Sequence, residues 1–227
     1  MIPPATIAIP DDTRATLTPM ARGLRAAEGR LLFGDRDQVV YLSNVSWADY
    51  ERIDALRGES SVPRLTYVEG MLELMSPGTP HESDKKKLAR IFEAYLDHLG
   101  IPAEGVGSWT VKNKRKKLGA EADECYVFTT LPVGPSTKAP DLVIEVVYSS
   151  GNFDKLEVWQ KLGAKEVWFW QPGQLSVFVR KGDGFELARR SALVPSIDLE
   201  LVVRCMHEKT QNAAVHALRA ALAKKRS

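Results

Sequence analysis

The sequence lacks the features of several large protein classes. It contains no apolar run of the roughly 18–20 residues that a bilayer-spanning helix needs, so no membrane crossing is expected. Its first ten residues do not combine a basic start with an apolar core, and no secretory signal is predicted. Two cysteines, Cys125 and Cys205, are too few for a disulfide framework or a cysteine metal cage. These absences predict a reduced, cytoplasmic environment.

Common catalytic signatures are missing as well. The sequence has no phosphate-binding glycine loop, no Cys-x-x-Cys pair, no H-E-x-x-H and no G-x-S-x-G. Nucleotide hydrolysis by a P-loop and zinc-dependent hydrolysis are therefore not expected.

Neither positive nor negative charge is in large excess, since the sequence has 31 basic and 29 acidic residues. The basic residues are nevertheless clustered, at 85–87, at 112–117 and in the tail 224–226. The central cluster consists of Lys112, Lys114, Arg115, Lys116 and Lys117. Such clusters are typical of solvated faces and turns. They also suit contact with a polyanion, and 112–117 is the candidate nucleic-acid-binding segment.

The sequence does contain the pattern of one α/β domain, with α+β as the alternative. Residues 1–45 hold scattered prolines and little periodicity, which predicts a partly ordered extension. Residues 46–205 are predicted to form the folded domain, and 206–227 a C-terminal helix with a basic tail. Because a long helix lies between hairpins and single strands, we expect a mixed central β-sheet flanked by helices.

Turn and cap residues delimit the predicted elements. Helices are predicted at 46–56, 81–99 and 212–225. A further short helix is predicted to follow a turn at 149–152 and to end at about residue 162. Hairpins are predicted at 65–75 around Glu69-Gly70 and at 166–179 around 171–173. Further strands are predicted at 106–111, 121–128, 141–148 and 185–189.

Two acidic residues lie in or next to apolar strands. Glu145 lies in the middle of the almost continuously apolar segment 141–148, where an unpaired carboxylate is costly. It is either a metal or catalytic residue or half of a buried salt bridge. Asp123 is by itself consistent with a solvated strand end. If it meets Glu145 across adjacent strands, the two carboxylates need a hard cation such as Mg²⁺ to neutralise them.

Three further residues are candidates at helix starts. Lys155 lies in the first turn of the helix after Glu145, where it could orient a water molecule or stabilise charge on a phosphate. A lysine that keeps its charge in solvent is the alternative. His81 and Glu82 open the long helix, and a satisfied core histidine and a helix-capping glutamate are equally good interpretations.

Four segments, in order, resemble the Uma-type restriction endonuclease family, a former domain of unknown function that is abundant in cyanobacteria. They are LELMSP (72–77) with His81-Glu82, EADECY (121–126), PDLVIEV (140–146), and Asp154-Lys155 continued by LGAKEVW (162–168). The resemblance spans roughly residues 65–200. In this sequence Ala122 replaces the proline that the family has before the aspartate, and Trp159 replaces a tyrosine.

This family is assigned to the PD-(D/E)xK nuclease superfamily, so the resemblance implies a restriction-endonuclease-like core that uses Mg²⁺ or Mn²⁺. It implies Asp123 and Glu145 as metal ligands. Val147 stands where the motif lysine would be, and Lys155 would supply that lysine from the next helix. Glu82 would be the carboxylate of the first core helix, with Glu73 and His81 in support.

The leading hypothesis is therefore a metal-dependent phosphodiesterase that hydrolyses nucleic acid, DNA in the first instance, and acts as a homodimer. The first alternative is a catalytically silent nucleic-acid-binding module with the same fold. The second is an interaction protein that dimerises through Trp168 and Trp170, which alternate on one strand.

Overall fold

The computed structural model describes residues 36–134, 136–148 and 153–224. Most of the predicted extension, the predicted turn at 149–152 and the last two basic residues, Lys225 and Arg226, lie outside the described residues.

The described part contains eleven strands and five helices. The strands are β1 (Gln38–Leu42), β2 (Arg64–Val68), β3 (Met71–Ser76), β4 (Glu104–Gly105), β5 (Thr110–Asn113), β6 (Leu118–Glu121), β7 (Glu124–Val127), β8 (Leu142–Val146), β9 (Glu166–Gln171), β10 (Gln174–Lys181) and β11 (Gly184–Ala188). The helices are α1 (Trp47–Arg57), α2 (Thr79–Leu99), α3 (Lys155–Leu162), α4 (Leu199–Met206) and α5 (Gln211–Lys224). None of these helices has the length and apolar character needed to cross a bilayer.

The strands form two sheets. One is antiparallel, in the order β1-β3-β2-β6-β5. The other has the order β11-β10-β9-β8-β7-β4 and is mixed, because β8 and β9 are parallel while its other pairs are antiparallel. Parallel neighbours need a crossover, and α3 supplies it between β8 and β9. The predicted mixed sheet with flanking helices is confirmed, and a second sheet accompanies it.

Local signals placed the β2–β3 hairpin and the helix ends correctly. Glu69 and Gly70 both have positive φ, 47° and 102°, as a two-residue hairpin turn of the primed type requires. Ser46 caps α1 by accepting a hydrogen bond from the Asp49 amide. Gly163 ends α3 in the left-handed conformation.

Two strand predictions need correction. The predicted strand 121–128 is wrong, because β6 ends at Glu121 in one sheet and β7 begins at Glu124 in the other. Asp123 thus lies at the crossing between the sheets. The predicted strand 106–111 is wrong as well, since β4 ends before it and β5 begins within it. β1 lies within the segment predicted to be a partly ordered extension, and it pairs with β3.

The two faces of the mixed sheet are covered by different helices. α2, α4 and α5 pack on one face, where Trp168 and Trp170 are 0% and 2% exposed. A dimer contact through these tryptophans is therefore wrong: they lie in the core. α3 covers the other face, where Trp159 packs with Val143 and Val167. Glu145 points to this second face, since its neighbours Ile144 and Val146 pack on the first.

Gly119→Ala is expected to destabilise the fold by about 1–3 kcal/mol, the usual cost of overpacking. A Cβ at this position of β6 would lie 2.7 Å from Cζ of Tyr50, which is completely buried. Urea unfolding measures the loss. Gly184→Ala is the matched control, because a Cβ there meets nothing within 4 Å. Equal stability of both variants would contradict the packing of Tyr50 on β6.

Candidate active site

A cavity of about 490 Å³ opens beside the C-terminal end of β8 and the first turn of α3. β1, β3, β9 and β10 complete its wall. Its charged and titratable lining residues are Asp37, Glu73, His81, Glu145, Asp154 and Lys155. The structure therefore brings four of the predicted site residues, Glu73, His81, Glu145 and Lys155, to one cavity.

Glu145 is the most perturbed carboxyl group of this cavity. Its side chain is buried, and Oε1 accepts a hydrogen bond of 2.6 Å from Nε1 of Trp159. The pKa of Glu145 is raised to about 7, chiefly by burial; the Lys155 charge opposes this shift and the neighbouring Asp123 charge adds to it. A buried carboxyl group that titrates near neutral pH, next to a lysine and in a cavity, is typical of a functional site.

Lys155 reaches the cavity because of how α3 begins. Oδ1 of Asp154 accepts hydrogen bonds from the Leu156 and Glu157 amides and thereby caps the helix at the residue before Lys155. The ammonium group donates to Thr66 Oγ1 over 2.8 Å and lies 3.7 Å from Oε1 of Glu73. Burial lowers the pKa of Lys155, but the Glu145 and Glu73 charges outweigh it and raise this pKa, so the group stays charged.

Glu73 lies on β3 in the same cavity. Its side chain is buried, and Oε2 accepts a hydrogen bond of 2.9 Å from the Tyr41 hydroxyl on the neighbouring strand β1. The Glu73 carboxylate therefore has two polar neighbours, the Tyr41 hydroxyl and the Lys155 ammonium group. These contacts hold the Glu73 side chain in the wall of the cavity.

Asp123 lies behind the cavity wall and does not line it. Oδ1 accepts from the Arg64 guanidinium, and Oδ2 accepts from His81 Nε2 at 3.0 Å and from the Val146 amide at 2.7 Å. Although burial opposes ionisation, Arg64 and His81 lower the pKa of Asp123 to about 2. The carboxylate is thus held as a buried anion between the Arg64 guanidinium and the His81 ring.

His81 joins this cluster to the cavity. Its Nδ1 lies 2.9 Å from Oδ2 of Asp37, and its Nε2 faces Asp123. Burial lowers the pKa of His81, but the hydrogen bonds that its ring donates to the Asp123 and Asp37 carboxylates, together with their charges, raise it overall, which favours the imidazolium. Glu82 lies outside the cavity, bonded at 2.5 Å to Arg64 and at 2.6 Å to Lys85.

The basic run is separate from this cavity, which none of its residues lines. Lys112 on β5 is bonded to Asp54 at 2.5 Å, and Nζ of Lys116 donates to the Lys161 carbonyl at 2.8 Å. Arg115, Lys116 and Lys117 line a surface depression of their own together with Glu69 and Lys161. Lys114 lies in the same turn between β5 and β6 and is exposed.

Three residues that build the site were not predicted from the sequence as site residues. Arg64 is the first residue of β2, and its partner Asp123 is 59 residues away in sequence. Trp159 was noted only as a departure from the family, and its bond to Glu145 gives it a place in the site. Asp37 precedes β1 and had no local signal.

The donor set can be compared with what Mg²⁺ requires. Within residues 36–134, 136–148 and 153–224, no cluster of three or more His, Cys, Asp or Glu side chains has the arrangement of a metal site. Mg²⁺, however, usually keeps several waters and binds through one or two carboxylates and substrate phosphates. Glu145 and Glu73 face the cavity, and each keeps acceptor sites that the hydrogen bonds above do not use. Both are therefore ligands of the chemical type that Mg²⁺ prefers, on one cavity.

Comparison with known proteins gives a family. No curated protein matches the sequence. One matching solved structure is the crystal structure of "a putative nuclease belonging to DUF820" from Anabaena variabilis, 13% identical, with a TM-score of 0.48 over 77% of this chain and 99% of that one. The Uma2 family, described as "putative restriction endonuclease", matches residues 47–206, which confirms the family resemblance of the four motifs. Since this match covers more than two thirds of the chain, the protein belongs to the Uma2 family.

Proposed function

We propose that the protein is a metal-dependent nuclease that hydrolyses phosphodiester bonds, of DNA in the first instance, at the cavity beside β8. The observation that carries the proposal is the convergence of Glu145, Glu73 and Lys155 on one open cavity. Membership of a family described as restriction endonucleases supports the same reaction class. Carboxylates beside a lysine are a common arrangement for hydrolysis of phosphate esters with a divalent cation.

Glu145 and Glu73 would hold the Mg²⁺ or Mn²⁺ ion, with water and a phosphate oxygen as its other ligands. When bound, such an ion lowers the pKa of its water and offsets the charge that develops on the phosphate. Trp159 fixes the Glu145 carboxylate by donating to Oε1. Lys155, held by Thr66, has two N–H donors left to orient the attacking water or bind a phosphate oxygen.

Asp123, which the resemblance assigns as a metal ligand, would act chiefly as a positioning residue. Its carboxylate binds the Val146 amide, next to Glu145, and is bonded to Arg64 and His81. It thereby anchors the C-terminal end of β8, next to Glu145. Direct ligation is favoured less for Asp123 than for Glu145 and Glu73, because its side chain does not line the cavity. His81 and Glu82 support this anchor, since both lie against Asp123 or Arg64.

Cleavage assays test the proposal. Supercoiled plasmid and single-stranded DNA are incubated with the protein and Mg²⁺ or Mn²⁺, with EDTA as the metal-free control. Cleavage that requires the metal supports the proposal. A folded wild type that cleaves neither substrate under any of these conditions would overturn it.

Lys155→Gln is expected to lower the cleavage rate by about 10²–10⁴-fold, the usual contribution of a positioned proton-transfer or charge-stabilising group. Lys181→Gln is the matched control, because Lys181 is an exposed lysine of β10 whose partner, Glu186, is also exposed. Initial rates at saturating Mg²⁺ compare the two. Equal rates for Lys155→Gln and wild type would remove Lys155 from the mechanism.

The alternative, a nucleic-acid-binding module without activity, is favoured by one observation. The basic residues that suit a phosphate backbone, among them Arg115 and Lys117, line a depression separate from the cavity. That module would bind nucleic acid in EDTA, with an affinity that falls steeply with salt and that does not depend on Glu145.

A further inference from the structure

One wall of the cavity is aromatic. Phe169 on β9 and Phe178 on β10 both line it, with ring centroids 5.7 Å apart and planes at 83°. Phe153, just before α3, lines the cavity as well and packs edge-on against Tyr41. Three aromatic rings therefore lie in the same cavity as Glu145 and Lys155.

These rings are not ordinary core residues. Phe153, Phe169 and Phe178 are only partly buried, whereas Trp168, which points to the opposite face of β9, is completely buried. Since side chains alternate along a strand, Phe169 and Gln171 share the face that looks into the cavity. An apolar wall left partly open, next to charged groups, is typical of a ligand site.

The same face also carries polar groups. Ser176 lies directly opposite Phe169 in the β9–β10 hairpin, and both Ser176 and Gln171 line the cavity. The Gln171 amide can donate and accept hydrogen bonds, and so can the Ser176 hydroxyl. Aromatic rings beside an amide and a hydroxyl offer a surface on which a nucleobase can stack and hydrogen-bond partners for its polar edge.

We propose that this cavity binds one unpaired nucleobase, with the aromatic wall against the base and with the adjacent phosphate directed to Glu145 and Lys155. The preferred substrate is then single-stranded or locally unpaired nucleic acid. The cavity, about 490 Å³, lies within the range typical of small-molecule sites. A base within a duplex is stacked on both sides and must leave the helix to reach such a wall. This inference rests on the proposed nuclease function, because it uses the same cavity.

The test measures binding apart from cleavage. Fluorescence anisotropy follows a labelled 12-nucleotide single-stranded DNA, the same sequence as a blunt duplex, and a single-stranded RNA of that sequence. Ca²⁺ is present to offset the carboxylate charge of the cavity, and a gel at the end of each titration confirms an intact probe. Single-stranded probes are expected to bind at least tenfold more tightly than the duplex.

Phe178→Leu is expected to weaken single-stranded binding about five- to tenfold, because a stacked base loses its aromatic partner while the apolar volume is largely kept. Phe178→Trp should restore binding. Phe185→Leu is the matched control, since Phe185 is a partly buried phenylalanine of β11 outside the cavity. Circular dichroism and thermal unfolding confirm that each variant is folded.

The outcomes separate this inference from the proposed function. Equal affinity for duplex and single strand, or equal losses for Phe178→Leu and Phe185→Leu, would overturn the unpaired-base site while metal-dependent cleavage could stand. Tight single-stranded binding that needs Phe178, without cleavage of any substrate, would support the base site and refute the nuclease. Whether DNA or RNA binds more tightly identifies the preferred sugar.

Discussion

Glu145→Gln is expected to give a protein that is more stable than wild type at pH 8, by about 1–3 kcal/mol, and that does not cleave nucleic acid. The folded-state pKa of Glu145 is raised from 4.5 to about 7 by burial. The carboxyl group therefore contributes most stability below pH 4.5, and this contribution is lost as the pH rises through 7. Above pH 7 the buried charge costs at most about 3 kcal/mol at 1.36 kcal/mol per pKa unit.

Glutamine removes this charge and keeps an oxygen that can accept from Trp159 Nε1. Part of the gain is offset because Lys155 loses one of its anionic neighbours, although Glu73 and Thr66 remain. Urea unfolding in EDTA at pH 5 and pH 8 measures the effect, with wild type beside the variant. The stability gap should widen as the pH rises. A gap that is the same at both pH values would contradict the assigned titration of Glu145.

Cleavage by Glu145→Gln should fall at least a hundredfold, because even residues behind a metal ligand typically contribute 10–100-fold. A neutral amide cannot supply the negative charge that holds a divalent cation. Removal of an unfavourable buried charge would thus stabilise the fold while it destroys the site, a trade-off that is common in active sites.

Asp123→Asn is expected to have the opposite effect on stability, a loss of about 3–5 kcal/mol. The substitution leaves the buried Arg64 guanidinium, and the imidazolium of His81, without their shared anion. Because the folded-state pKa of Asp123 is lowered to about 2, its contribution is complete above its ordinary value of 3.8 and is lost as the pH falls towards 2. Urea unfolding at pH 7 and pH 3 should show a smaller difference from wild type at the lower pH.

The control for Asp123→Asn is Glu157→Gln, which breaks the exposed pair between Glu157 and Lys161. Such surface pairs contribute about 0–1 kcal/mol. If Asp123→Asn were as stable as this control and had also lost metal-dependent cleavage, Asp123 would be a metal ligand and not an anchor.

Helices and hairpins were predictable because their signals are local. The apolar spacing from Leu88 to Leu99 and the glycine that follows define most of α2, and the structure extends it to Thr79. The break at Ala122-Asp123 was not predictable, because the apolar pattern on either side is that of one strand. Only pairing with β2 on one side and β8 on the other assigns the two halves to different sheets. In the same way, the pattern of Trp168 and Trp170 does not say which face of β9 is covered.

The site residues, too, were predictable only where their signals are local in the sequence. Glu145 and Lys155 were identifiable, since a charge inside an apolar strand and a lysine at the next helix start are visible in one short segment. The partners of Asp123 were not, because Arg64 is 59 residues and His81 is 42 residues away in sequence, and Asp37, which His81 contacts in turn, is 44 residues from His81. A carboxylate that is bonded in this way cannot be distinguished from a free metal ligand by its sequence motif alone.

The most direct measurement is the initial rate of DNA cleavage as a function of Mg²⁺ concentration, for wild type and Glu145→Gln, at pH 8 with unfolding curves for both. We expect a saturable, EDTA-sensitive rate for the wild type and none for the variant, which remains folded. Cleavage by the folded variant at the wild-type rate would contradict the claim that metal-dependent hydrolysis takes place at the cavity beside β8.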